Sequence, residues 1–376
     1  MSLLTYGARL DSIRLNSALE HILNTNLRRQ EAGKSATPVC IWGTHGLGKT
    51  TAVKDFAQIH GWRLAYCAPA QFEEMGDLHG LPTRINPDPT VVGDERTVFL
   101  PPDWVPTEEG PGILLLDDIN RADDRILRGL MQLLQEFEMF SWSLPAKWQI
   151  VCTANPEGGD YSVTPMDDAM ITRMLHMTMT FEVKAWAAWA QAAGVDPRGI
   201  AFVLTYPELI NDKRTTPRSL TQFFDQLADI PDLVAQLDLV QVLALSALDE
   251  ATAATFLSFV QQELSALISP EEILDAADFA PVGKRIDNAV NGTGKTGKSK
   301  RVDVLSLLCT RLTLFLSRKG YTPGDRHAKN LIEFLLIDSL PNDLRFALHR
   351  DLVALGAPVT DMIRDKRVAQ LVLKGM

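Results

Sequence analysis

One stretch limits what this chain can fold into more than any other. Residues 38–62 read "PVCIW", then "GTHGLGKT", then "TAVKDFAQIHGW". The first run is apolar, with β-branched and aromatic members, and reads as a buried parallel strand. In the third, Val53, Phe56, Ala57 and Ile59 recur on one side of a helix that Gly61 can end. Between them lies a glycine-rich loop whose backbone N–H groups can converge on phosphate oxygens, reinforced by the positive end of the following helix. Gly43, Thr44, His45, Gly46, Leu47, Gly48, Lys49, Thr50 and Thr51 are therefore the expected nucleotide contacts. Lys49 would reach the β and γ phosphates, and Thr50 would place its hydroxyl on Mg2+.

The same pattern recurs at Gly292–Ser299 as "GTGKTGKS". Upstream of it, "PVGKRIDNAV" carries charges where a buried strand needs apolar residues. Residues 283–301 hold six Lys or Arg against one Asp and read as a flexible basic connector that matches by composition. One nucleotide site is expected, not two. The formal net charge of −10 argues against nonspecific coating of nucleic acid, although this segment is a local basic patch.

With 376 residues the chain can hold two or three domains. It has no apolar run long enough for a membrane span and no signal-peptide pattern at its start. The four cysteines, Cys40, Cys67, Cys152 and Cys309, form no C-x-x-C and sit in apolar runs, as small buried hydrophobes in a reducing cytoplasm would. The seven histidines form no ligand-spaced cluster.

A nucleotide loop needs a carboxylate for the metal at the end of a neighbouring strand. "GILLLDDINRA" at 112–122 offers one: an apolar strand, then Asp117 for the hydrated metal and Asp118 to orient the attacking water. Paired acids also favour helix starts, which is the bland reading. "WQIVCTAN" places Asn155 at the end of the next strand, where ligand crevices of parallel sheets lie. An Asn there is otherwise a turn residue.

"LLLDDINRA" followed by "VCTANPEGGDYSVTPMDDAMITRM" resembles the MoxR branch of the AAA+ ATPases, in the helix-2-insert clade, over roughly residues 10–265. The resemblance implies ATP as the nucleotide and a ring-forming ATPase, six subunits of one chain, that remodels a partner protein. A von Willebrand factor A domain protein often accompanies the family. Lys49 and Thr50 match Walker A, Asp117 and Asp118 Walker B, and Asn155 sensor 1. Arg173, in "DDAMITRM", falls at the arginine finger, and Arg218, in "RTTPRSL", at sensor 2, with Arg214 as a substitute. Taken singly, a solvated charge or half of an ion pair is the commoner fate of such an arginine. One departure stands out: the family's second Walker B acid is Glu, whereas Asp118 is a methylene shorter. Binding is thereby better founded than brisk turnover.

The expected fold is α/β: a five-stranded parallel P-loop AAA+ sheet with helices on both faces (1–181), a helical lid (182–267), and a helical C-terminal domain (268–376). Seven prolines between Pro82 and Pro111 predict a loop-rich insert near 71–112. "EFEMFSWSLPAKW" predicts a hairpin near 136–148. The resemblance sets both features facing the ring pore, with Phe140 and Trp142 either gripping substrate or packing the hairpin onto its own domain. Trp186 and Trp189 are core candidates. Two alternatives to a protein remodeller remain: a nucleic-acid motor using residues 283–301, and a nucleotide-gated scaffold that hydrolyses weakly.

Overall fold

The computed structural model describes residues 4–87, 95–158, 162–210, 213–262, 268–291, 301–318 and 320–374. The second glycine pattern, with Lys298, lies outside the described residues. The described flanks are helices, Phe279–Asn291 and Val302–Leu316, so neither side supplies the strand that a phosphate loop needs. Residues 283–291 are thus helical, a correction to the reading of 283–301 as connector throughout. The chain divides into two compact units. One is Met1–Ala185 with Thr216–Arg218; the other is Trp186–Thr215 with Ser219–Met376.

The first unit has the AAA+ P-loop fold. Its strands in chain order are β1 (Ala8–Leu10), β2 (Val39–Trp42), β3 (Arg63–Cys67), β4 (Leu81–Ile85), β5 (Arg96–Leu100), β6 (Gly112–Leu116), β7 (Glu138–Met139), β8 (Trp142–Ser143), β9 (Trp148–Ala154) and β10 (Leu175–Met179). Six of them form a parallel sheet in the order β1-β10-β2-β9-β6-β3. The sheet has six strands where five were expected, because β1 adds at the edge beside β10.

Side-chain alternation along the buried strands splits the core into two layers. Val39, Ile41, Ile113, Leu115 and Val151 face α1 (Ser12–Glu31) and α2 (Lys49–His60), meeting Leu15, Leu19, Leu23, Val53 and Phe56. Cys40, Trp42, Leu114, Leu116, Ile150 and Cys152 belong to the other layer, with Ile126, Leu130 and Leu134 of the helix Asp124–Glu136. Ile59, expected on the buried side of α2, is 75% exposed because its position has rotated past the contact stripe. All four cysteines are free and buried.

The proline-rich insert contains the antiparallel β4–β5 pair, and β7–β8 is the expected second hairpin. Trp142 is buried and donates through Nε1 to the His79 carbonyl at 2.9 Å, so it packs its hairpin onto its own unit. Phe140 sits exposed at the tip, against His79 and Phe99.

The second unit is helical. Phe202, Phe223, Phe256 and Phe259 interlock edge-to-face in one part of it. Helices Val302–Leu316, His327–Leu336 and Asn342–Ala354 share a core from Ile268 onward. Trp186 is buried. No helix among the described residues is long and apolar enough to cross a membrane.

Candidate functional site

The site assembles where β2, β6 and β9 end side by side. Gly43 leaves β2 with its N–H on the Ala154 carbonyl at 3.2 Å, and the loop enters α2 through Gly48, which caps the helix at a φ of 95°. Gly46 admits no side chain: its φ is 75°, and a Cβ would lie 2.6 Å from Thr216 Oγ1. That crowding comes from the return of Thr216–Arg218, where the Arg218 N–H donates to the Gly46 carbonyl at 3.0 Å.

Lys49 is buried and donates to the carbonyls of Gly43 at 2.8 Å and Thr44 at 3.1 Å, and to Asn155 Oδ1 at 3.1 Å. Burial lowers its ammonium to about 8; Asp118 and Asp117 pull it back up, while Arg218 and Arg121 push it down. A buried ammonium resting on carbonyls is in reach of a stronger acceptor, which a polyphosphate supplies.

Thr50 Oγ1 donates to Asp117 Oδ1 at 2.6 Å. Asp117 also accepts from Thr153 Oγ1 at 2.7 Å and from Tyr66 at 3.1 Å, and its own N–H is held by the Cys67 carbonyl at 2.8 Å. Burial, and after it this carboxylate, raises the Tyr66 phenol to about 12. Among the described residues no three His, Cys, Asp or Glu side chains converge as a metal-binding group. A hydroxyl beside one carboxylate is instead the donor set of a Mg2+ that keeps most of its water, so Thr50 and Asp117 fit that ion.

Asp118 leaves the strand in the left-handed region, at a φ of 48°, which aspartate tolerates better than most residues. Its N–H donates to Thr153 Oγ1 at 2.8 Å, and its carboxylate pairs with Arg121 at 3.2 Å. Asn155 is fully buried. Asn120 clamps its backbone on both sides, accepting from its N–H at 3.0 Å and donating to its carbonyl at 2.8 Å. Its Nδ2 has no hydrogen-bond partner among the described residues, which leaves a buried donor next to Lys49.

The loop residues, Lys49, Thr50, Asp117 and Asn155 are therefore brought together. Thr51 is exposed on α2. Arg173 is bonded elsewhere, through Nε to Gln135 at 3.0 Å and through a terminal nitrogen to the Ala169 carbonyl. Arg214 binds the Leu245 and Ser246 carbonyls at the end of the helix Leu237–Ala247, while the Arg218 side chain is exposed. Sequence reasoning missed Thr153, Asn120 and Arg121. Thr153 was visible as the one hydroxyl in an apolar strand, two residues before Asn155.

Residues 38–174 match the family described as AAA domain (dynein-related subfamily). This places an AAA+ domain on the strands and loop just described. No curated protein matches the chain. Among solved structures, a mutant of Thermotoga maritima RuvB is similar at 15% identity and a TM-score of 0.38, covering 69% of this chain and 74% of that one. The Thermotoga maritima RuvB Holliday junction branch migration motor is similar at 16% identity and a TM-score of 0.34, covering 84% and 87%. At these scores neither likeness bears on function.

Proposed function

We propose that the chain is a MoxR-like ATPase that assembles into a ring and couples Mg2+-ATP hydrolysis to remodelling of a partner protein, a von Willebrand factor A domain protein being the partner class to try first. The observation that carries the reading is the convergence of Lys49, Thr50, Asp117 and Asn155 at three adjacent strand ends. In this reading residues 1–181 form the nucleotide-binding domain, 182–267 the lid and 268–376 a helical addition.

Lys49 exchanges the Gly43 and Thr44 carbonyls for phosphate oxygens, and the backbone N–H groups of the loop hold the remainder. Thr50 and Asp117 would hold Mg2+, which would offset the charge that builds on the phosphate oxygens. Asn155 is anchored by Asn120 so that its free Nδ2 can orient the attacking water. Arg218, whose N–H rests on the Gly46 carbonyl, reads the γ-phosphate. Arg173 serves the nucleotide of a neighbouring subunit, so that hydrolysis requires assembly.

One observation favours the second reading, a nucleotide-gated scaffold. The Asp118 carboxylate is short and held by Arg121, and a water-orienting acid must be free to reach its water. Titration with ATP and Mg2+ tests the site. Binding of one nucleotide per chain, lost in Lys49→Ala and kept in Lys298→Ala, is expected. Loss in Lys298→Ala would reinstate the second glycine pattern.

A further inference from the structure

His176 lies outside the nucleotide site yet joins its supporting strand to the segment that carries Arg173. Trp42, the last residue of β2 before the phosphate loop, is fully buried and donates through Nε1 to His176 Nδ1 at 2.8 Å. An indole nitrogen can only donate, so Nδ1 must accept and the imidazole carries its proton on Nε2. That second nitrogen donates to the Ile171 carbonyl at 2.7 Å. Tyr6 fixes both rings, its centroid 4.9 Å from Trp42 and 5.7 Å from His176.

Ile171 ends the helix Asp168–Ile171, and Arg173 follows two residues later. A helix of four residues has too few internal hydrogen bonds to hold its own geometry. Its position is set by what it touches: the Asp167 cap on the Met170 N–H at 2.8 Å, the buried Met170 side chain, and the His176 bond at its C-terminal end. The Arg173 guanidinium in turn rests on the Ala169 carbonyl of this same helix. Any shift of Trp42 along β2 therefore reaches the base of Arg173 through two hydrogen bonds and one ring.

We propose that His176 is a positioning residue that couples the nucleotide loop of its own subunit to Arg173, the arginine assigned above to a neighbouring subunit's nucleotide. The inference rests on the proposed function and adds a direction to it: occupancy of one site sets the aim of the arginine serving the next.

The test is hydrogen exchange at the amides of residues 172–175, with and without a non-hydrolysable ATP analogue and Mg2+. In the wild type, nucleotide is expected to change exchange at these amides by fivefold or more, on the order of a modest allosteric coupling. In H176F the nucleotide affinity is kept and the change is lost. H176N keeps an acceptor near the Nδ1 position and H176Q a donor near Nε2, so each preserves one link, and neither is expected to transmit the full change. W42F removes the same bond from its other end and should behave as H176F does.

Nucleotide binding with no change at 172–175 in the wild type would overturn the coupling and leave the proposed function standing. A full change surviving in H176F or W42F would overturn it equally. Failure of the wild type to bind nucleotide would overturn both.

Discussion

Thr153 offers the sharpest perturbation, because its hydroxyl is fully buried and bonded twice. It donates to Asp117 at 2.7 Å and accepts the Asp118 N–H at 2.8 Å. Thr153→Val keeps the shape and removes both bonds. The bond to a carboxylate is worth ~1.5–3 kcal/mol, and a buried N–H left unsatisfied costs ~1–3 kcal/mol. Asp117 retains Thr50 and Tyr66, which argues for the lower end of each range, together ~2.5 kcal/mol. For a folded unit approaching two hundred residues that corresponds to a fall of roughly 5–10 °C in melting temperature. Nucleotide binding should weaken only in its Mg2+-dependent part, by about tenfold if ~1.4 kcal/mol of metal positioning is lost. Thermal melts, with calorimetric titration of a non-hydrolysable analogue in Mg2+ and in EDTA, measure both quantities. An unchanged melt with an intact Mg2+ increment would refute the claim that Thr153 holds Asp117 in place.

Three further outcomes follow from the same geometry. Asp118→Glu restores the missing methylene, and steady-state phosphate release should rise severalfold over wild type; a fall would mean that the backbone already compensates for aspartate. Lys49 has a folded value of about 8 against an ordinary 10.5, so between those values the unfolded chain binds a proton that the folded chain lacks, and stability should climb with pH across that window. Urea denaturation should therefore find Lys49→Met more stable than wild type at neutral pH, with the gap closing toward pH 10; a constant gap would contradict the burial argument. Arg214→Ala should lower thermal stability without altering nucleotide affinity, since its guanidinium caps a helix end, whereas Arg218→Ala should do the reverse.

The parts of the fold that the sequence announced are those where local pattern and chemistry coincide. "PVCIW", "GILLL" and "WQIVCTA" are apolar on both faces because helices cover both sides of the sheet, and such runs stand out in any reading. β1 did not, since the three residues Ala8–Leu10 are a partly exposed edge with no pattern of their own. Proline density in the insert excluded a helix correctly but could not specify the β4–β5 pairing, which depends on residues far apart in the chain. Charge in "VGKRIDNAV" suggested a connector, yet one face of that segment, through Val282, Ile286 and Val290, is buried as a helix. Trp142 looked equally suited to gripping or packing, and only its bond to the His79 carbonyl decides for packing. At the site, the residues proposed to touch phosphate or metal carry motifs, whereas Asn120 and Thr153 hold other residues. Their partners lie 35 and 36 positions away, beyond the reach of local pattern.

The central claim is a single nucleotide site per chain, completed by an arginine from a neighbour. Phosphate release per subunit, measured against protein concentration for wild type, Lys49→Ala, Arg173→Ala, and an equimolar mixture of the two variants, tests it most directly. The claim predicts turnover that rises with concentration in the wild type, is lost in each variant alone, and is partly recovered in the mixture, where an intact loop can meet an intact arginine. Turnover in Arg173→Ala equal to wild type, or wild-type turnover independent of concentration, would contradict it.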